Sequence, residues 1–473
     1  MRVLHAIAFA PRGGSAQVVR YLTKALIARG AHALVASGSL GDTSAFYEGV
    51  PRFEVDYAEA CDGYLHGIDP MSRQFTYPLS PSYEDRGGVP DRAFYRVGRA
   101  GLDHLVKSWR DVLAATMESF EPDVLHLHHL HHVHLAAMEL LPLRLTPKLA
   151  HLHGTELKML KQMGELKDDP SLHVALWDDV LRRAARGVDH LVVNSDAVAS
   201  EAHELLRAPH ERLSVIPNGV DTELFRPQHC STNEKLRRLR RLLVEAPHGW
   251  DESGVEGSIR YTEADLRKLV GRHGELKPLI IYAGRFLAFK RVDLLLEAVA
   301  AVNRSSAGGA ASNVLICGGA PGEWEGEHPY TQMNRLGLTN IFFCGWLEHE
   351  ELAQALNLAD VFVAPSSHEP FGQVYLEAMA SGVPVIATRS GGPQSFVVDE
   401  GNAANGWLCP PDDRDALARV LSAALDNADE RARRGANGLG LVRRKYSWTE
   451  VAGQFLELYE RLQQGETRRS AAD

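Results

Sequence analysis

Short apolar runs alternate along the chain with stretches whose apolar residues recur every three or four positions. The short runs predict strands at Arg2–Ala8, Ala33–Ser37, Asp123–His128, Lys148–His153, His190–Asn194 and Leu213–Pro217. After a gap they return at Leu279–Ala283, Val314–Cys317, Ile341–Cys344, Val361–Ala364 and Val383–Ala387. Several are apolar on both faces, as in a buried parallel sheet. The stretches between them have helical spacing, as over Ser15–Arg29. Strand–helix–strand repetition of this kind makes right-handed crossovers and a doubly wound α/β sheet. Two runs predict two such domains. Ligands bind beyond the carboxyl ends of such strands, so two facing sheets would frame a central cleft. Two segments break the rhythm, Ala58–Ala100 and Gln228–Lys277. The first is too long for an ordinary loop and too aromatic for a disordered linker. In the second, Thr262 with Asp265 reads as a capped helix start.

Length supports the division, since 473 residues exceed one ordinary core. The net charge of -10 supplies no basic field for nucleic acid. No apolar run approaches the roughly 20 residues that span a bilayer. MRVLHAIAFA carries no cleavage site and reads as a strand rather than a signal peptide. The five cysteines (61, 230, 317, 344 and 409) are widely spaced, which fits free thiols in a reducing cytoplasm. The basic run Lys235–Arg241 reads as a solvated helix face, with no stable membrane binding expected.

Three stretches carry chemistry. In GRFLAFKR (Gly284–Arg291) a buried strand leads in and a helix leads out. Arg285 and Lys290, a forked donor and a mobile point charge at a strand's carboxyl end, suit a diphosphate. In HEPFGQVYLEAMASGVPVIAT (His368–Thr388) a helix begins near Gly372. Its first N–H groups are ready anion donors, and Glu369 and Glu377 can reach one site and accept from sugar or ribose hydroxyls. In HLHHLHHVH (His126–His134) six of nine residues are histidine. Composition allows a metal site, but the alternation with leucine places His128 and His129 at a strand end and His131–His134 in the following turn and helix start. A structural or acceptor-facing role is therefore expected, with no bound metal and with activity retained in a chelator.

The ordered set G-R-x4-K, E-P-F-G-x4-L-E-A, S-G-V-P-V-I-A-T and Gly391–Gly392 resembles the retaining glycosyltransferases of family 4, which have the GT-B fold. PRGGSAQVVRYLTKAL (Pro11–Leu26), HLHGTE (His151–Glu156), VIPNGVD (Val215–Asp221) and YSWTEVAGQFLELYERL (Tyr446–Leu462) resemble further parts of that family, leaving aside Ala58–Ala100 and Gln228–Lys277. The resemblance implies two Rossmann-like domains. Residues 1–217 would bind the acceptor, with an insertion at about 58–100. Residues 218–445 would bind the donor, with an insertion at about 228–277. Residues 446–473 would form a helix returning toward the first domain, then a tail. It also implies roles. Arg285 and Lys290 bind the diphosphate and neutralise the leaving nucleotide. Glu377 holds the ribose and Glu369 the donor sugar, beside the Phe371 and Gly372 amides. Trp346 and Leu347 flank the base. His153 sits near the reaction centre. Gly13 and Gly14 admit phosphate or acceptor, and His128 and His129 face the acceptor.

The implied reaction transfers a sugar from a nucleoside diphosphate, UDP before GDP, to a soluble small polar acceptor, with no metal or other cofactor. Residues 58–100 would belong to the acceptor wall. A lipid-linked or glycan acceptor is the alternative, followed by a sugar phosphorylase, an epimerase or an inactive sugar-nucleotide binder. A dehydrogenase is disfavoured because no G-x-G-x-x-G follows a strand.

Overall fold

The computed structural model describes residues 1–10, 13–41, 43–83, 90–140, 145–305 and 312–465. Pro11 and Arg12 of the expected glycine loop, residues 84–89 of the 58–100 stretch and the tail beyond 465 lie outside them. The chain divides into two compact units, Met1–Gly219 with Trp448–Asp473, and Val220–Ser447.

The first unit holds seven parallel strands: β1 (Arg2–Ile7), β2 (His32–Ser39), β3 (Arg52–Asp56), β4 (Val124–His128), β5 (Lys148–Leu152), β6 (His190–Val193) and β7 (Leu213–Val215). Their order is β3-β2-β1-β4-β5-β6-β7, so the winding direction reverses between β1 and β4. Helix Trp448–Gln464 completes this unit. Trp448 stacks on Tyr21 with ring centroids 6.1 Å apart, and Val451, Phe455 and Leu458 share a core cluster with Val18, Leu22 and Leu26. Each such fully buried aliphatic or aromatic side chain contributes about 1.5–3 kcal/mol.

The second unit holds six parallel strands: β8 (Leu279–Ala283), β9 (Asn313–Cys317), β10 (Ile341–Gly345), β11 (Val361–Val363), β12 (Val385–Thr388) and β13 (Gly406–Cys409). Their order is β10-β9-β8-β11-β12-β13, with the reversal between β8 and β11. Strands β8 to β11 are buried at every position. That is why they read as unbroken apolar runs. The two strands that pattern alone does not mark are β3 and β13. β3 buries only Val55 fully, and β13 is four residues long and begins with glycine.

Both irregular segments belong to cores. In 58–100, helix Ala58–Leu65 is followed by loops that bury Phe75, Leu79, Phe94 and Tyr95 in the first unit. Phe75, Phe94 and Tyr95 thus pack the interior rather than line an acceptor wall. In 228–277, Leu239, Leu243, Trp250, Ile259 and Leu269 enter the second core, and the Trp250 indole donates to Gly319 O at 2.9 Å. Thr262 and Asp265 form a capping box. The basic run lies on helix Thr232–Arg240, where Arg238 pairs with Glu234 and Arg240 with Glu263.

Candidate functional site

The motifs expected to bind the donor meet at the reversal point of the second sheet. The loop after β8 carries Arg285 and Lys290, and the loop after β11 carries Ser366 to Gly372. A backbone bond from Ser367 N–H to Phe289 O at 2.8 Å ties the two loops together. Lys290 Nζ lies 2.6 Å from Glu369 Oε2, with side chains 17% and 10% exposed. The Ser366 hydroxyl donates to the same carboxylate oxygen at 3.2 Å. A pair this dry holds both charges only because each has its partner. Arg285 is more open. Its guanidinium reaches Glu323 Oε1 at a loose 3.6 Å.

Gly372 caps helix Gln373–Ala380 at φ +91. A Cβ there would stand 2.6 Å from the Tyr375 ring and 3.1 Å from Glu369 Cγ, so glycine alone permits this turn. The pair Gly391–Gly392 packs on the same loop: the Gly392 N–H donates to Glu369 O at 2.7 Å, and a Cβ on Gly391 would clash with that carbonyl. Glu377 projects from the helix into the interior and is 5% exposed. Burial pushes its carboxyl up to about 8.

Two expected donor residues face inward. Leu347 is buried in the second core, so Trp346, half exposed, is the residue of that pair with a free face. This corrects Leu347 as a side-chain contact to the base. Phe371 is also buried, its ring 5.6 Å from Phe396, which leaves its backbone amide to act.

In the first unit Gly13 has φ +77, and neither Gly13 nor Gly14 has an atom within 4 Å of where a Cβ would stand. The histidines form a buried stack across three adjacent strands. Register places His5 of β1 opposite His126 of β4, and His128 of β4 opposite His151 of β5. His5 Nδ1 lies 3.1 Å from His128 Nε2, and His128 Nδ1 lies 3.1 Å from His153 Nε2. His126 meets Tyr459 Oη at 2.6 Å through Nδ1 and His151 Nδ1 at 3.3 Å through Nε2. Two triads, His5–His126–His128 and His128–His151–His153, bring one ligating atom per residue within 4.8 Å of each other.

His128 is fully buried with both nitrogens engaged, which corrects its reading as an acceptor contact. His153 is partly exposed at the end of β5, and its backbone N–H donates to Glu156 Oε1 at 2.8 Å. His129 has φ 65 and sets Nδ1 3.1 Å from Glu156 Oε2. His131 caps helix His132–Glu139. Pattern reading missed Tyr459 and His5 as parts of the stack. Each lies in an apolar stretch far from the histidine run.

No helix among the described residues is long and apolar enough to cross a membrane. Residues 268–439 match the model for glycosyl transferases group 1, and residues 12–224 match that for Glycosyltransferase Family 4. D-inositol 3-phosphate glycosyltransferase of Corynebacterium urealyticum is 30% identical over 278 residues, 58% of this chain and 57% of that protein. MMP alpha-(1->4)-mannosyltransferase of Mycolicibacterium hassiacum is 29% identical over 60% of this chain and 56% of that protein. The chain thus spans a little over half the length of these curated relatives. Among solved structures, sucrose-phosphate synthase from Thermosynechococcus elongatus superposes with TM-score 0.62 at 21% identity, over 98% of this chain and 99% of that one. Anabaena HepE in complex with UDP and glucose gives 0.59 at 17%, over 97% and 99%. With the two family models together matching well over half of the chain, the chain belongs to the family 4, group 1 glycosyltransferases and has the GT-B fold.

Proposed function

We propose that the protein transfers a sugar from a nucleoside-diphosphate donor to a small polar acceptor in the cytoplasm, with retention at the anomeric carbon. The observation that carries this reading is the buried Lys290–Glu369 pair at 2.6 Å, at the reversal point of the second sheet. Lys290 and Arg285 are placed to stabilise charge as the nucleoside diphosphate departs, more strongly in the transition state than in the ground state. The N–H groups that open helix Gln373–Ala380 add donors to the same anion. Glu369 accepts from donor-sugar hydroxyls, and Glu377, whose side chain has no partner among the described residues, accepts from the ribose. The protein's own cations meet the leaving-group charge, so no metal is needed at the diphosphate. UDP is the first nucleotide to test, since HepE is named with UDP and glucose. Relatives named for D-inositol 3-phosphate make a cyclitol phosphate the first acceptor, and His129, His153, Gly13 and Gly14 are the candidate contacts.

A thermal-shift panel of UDP, GDP, ADP and TDP with their sugars tests the donor. One nucleotide at 100 times its dissociation constant should stabilise the protein by about 2.7 kcal/mol. Lys290→Ala should lower turnover about a hundredfold or more, and Glu369→Gln should impair use of the sugar donor while UDP still binds. No response to any nucleotide, or wild-type turnover in both variants, would overturn the reading.

A further inference from the structure

We infer that the triad His128–His151–His153 in the first unit is a binding site for one divalent transition-metal ion of the zinc class. The inference is independent of the transferase reading and departs from the expectation of a metal-free chain. The three side chains come from the ends of adjacent strands β4 and β5, with one ligating nitrogen each within 4.8 Å of the others. His128 Nδ1 and His153 Nε2 are 3.1 Å apart. Two zinc–nitrogen bonds of about 2.0–2.1 Å at a tetrahedral angle set a separation of about 3.3 Å, so small shifts suffice. The rings already cluster, with centroids 4.4 Å apart for His151–His153, 5.4 Å for His128–His153 and 5.5 Å for His128–His151.

A second observation points the same way. His151 is 1% exposed, and its Nε2 has no hydrogen-bond partner among the described residues. Leaving a buried polar atom unpaired costs about 1–3 kcal/mol, and a metal bond removes that deficit.

The surrounding imidazoles set the protons as a metal requires. A ligating histidine gives its other N–H to an outer acceptor, which fixes the tautomer. With His128 Nδ1 on the metal, its Nε2–H donates to His5 Nδ1 across 3.1 Å. With His151 Nε2 on the metal, its Nδ1–H donates to His126 Nε2 across 3.3 Å. His126 then carries its proton on Nδ1 and donates to Tyr459 Oη at 2.6 Å. Every imidazole stays neutral and no proton leaves. The other triad also holds an unpartnered nitrogen among the described residues, His5 Nε2, but both nitrogens of His126 are engaged and all three members are fully buried. His153, partly exposed, gives the chosen triad an entry side and an open fourth position. Three imidazoles without thiolate suit zinc, nickel or copper.

The full chain, expressed without a histidine tag and stripped by chelator, should bind one equivalent of Zn2+. It should develop the visible band of tetrahedral Co2+ when that ion replaces zinc. His151→Leu should weaken Zn2+ binding at least about tenfold while keeping native circular dichroism. His132→Leu, a buried histidine outside the triad, should bind as wild type does. Should His151→Leu fail to fold, the wild-type Co2+ spectrum decides. No Zn2+ binding at millimolar concentration, an octahedral Co2+ spectrum, or undiminished binding by His151→Leu would overturn the proposal.

Discussion

Acid should unfold the first unit before the second, and the buried histidines set the size of the effect. His5, His126, His128, His131, His132, His134, His151 and His190 are each at most 3% exposed. Burial is the largest cause holding them low: His5, His132, His134 and His151 fall to about 3 and His190 to about 4. For His126, His128 and His131, neighbouring imidazoles add to burial and place them well below the ordinary range. An unfolded imidazole gains its proton near pH 6.5, whereas these folded ones do not. Their stability contribution is therefore complete above pH 6.5 and is lost as the pH falls, because the unfolded chain binds more protons. From pH 7 to 5.5 one such group costs about 1.2 kcal/mol. Eight such groups cost about 10 kcal/mol, the scale of a whole domain's stability of about 5–15 kcal/mol. The second unit has one comparable imidazole among its described residues, His328. Near-ultraviolet circular dichroism from pH 7.5 to 4.5, recorded in chelator, should show a steep transition between pH 5 and 6. Glu-C digestion at pH 5 should cut the first unit and spare the second. A first unit that keeps its native signal and protease resistance at pH 4.5 would refute the claim that these imidazoles sit neutral in a dry core.

Other outcomes are expected. Ribose hydroxyls favour an ionised Glu377, which is mostly protonated at pH 7 because burial pushes it up to about 8. UDP binding at that pH should therefore release close to one proton, read as a buffer-dependent calorimetric enthalpy, and Glu377→Gln should abolish the dependence. The raised Glu377 carboxyl stabilises the fold most below its unfolded value, and that contribution fades as the pH rises through about 8. Wild type should therefore lose stability relative to Glu377→Gln between pH 5.5 and 8.5. Among the described residues, Lys290→Met alone leaves the Glu369 carboxylate with only the Ser366 hydroxyl and should cost about 3 kcal/mol in urea denaturation. Adding Glu369→Gln should recover most of that stability while turnover stays lost. Neither ring nitrogen of buried His132 has a partner among the described residues, so His132→Leu should raise stability at pH 7 by about 1–3 kcal/mol in the same assay.

What the sequence made legible follows from what each signal encodes. β8 shows plainly because all five of its residues are buried, whereas β3 hides because Arg52, Phe53 and Glu54 are only partly covered. The loops after β8 and β11 could be paired because their charged residues lie at fixed short spacings after strands, and Lys290 and Glu369 do meet although 79 residues apart. Orientation at a strand end is harder to read. Nothing in the order Trp346–Leu347 says that the tryptophan faces out and the leucine in. The histidines give the sharper case. The run HLHHLHHVH draws attention by adjacency, yet its members part ways: His126 and His128 enter the sheet, and His131 caps a helix. The imidazoles that converge come from MRVLHAI, VLHLH and AHLHG, which lie far apart in the chain. The signal available beforehand is that each segment puts a histidine inside an apolar strand, where a lone polar ring is costly without a partner. Three such strands become mutual partners only if they are neighbours in register, and the order β1-β4-β5 supplies that condition. Strand order is thus the piece of knowledge that turns separately buried histidines into one stack.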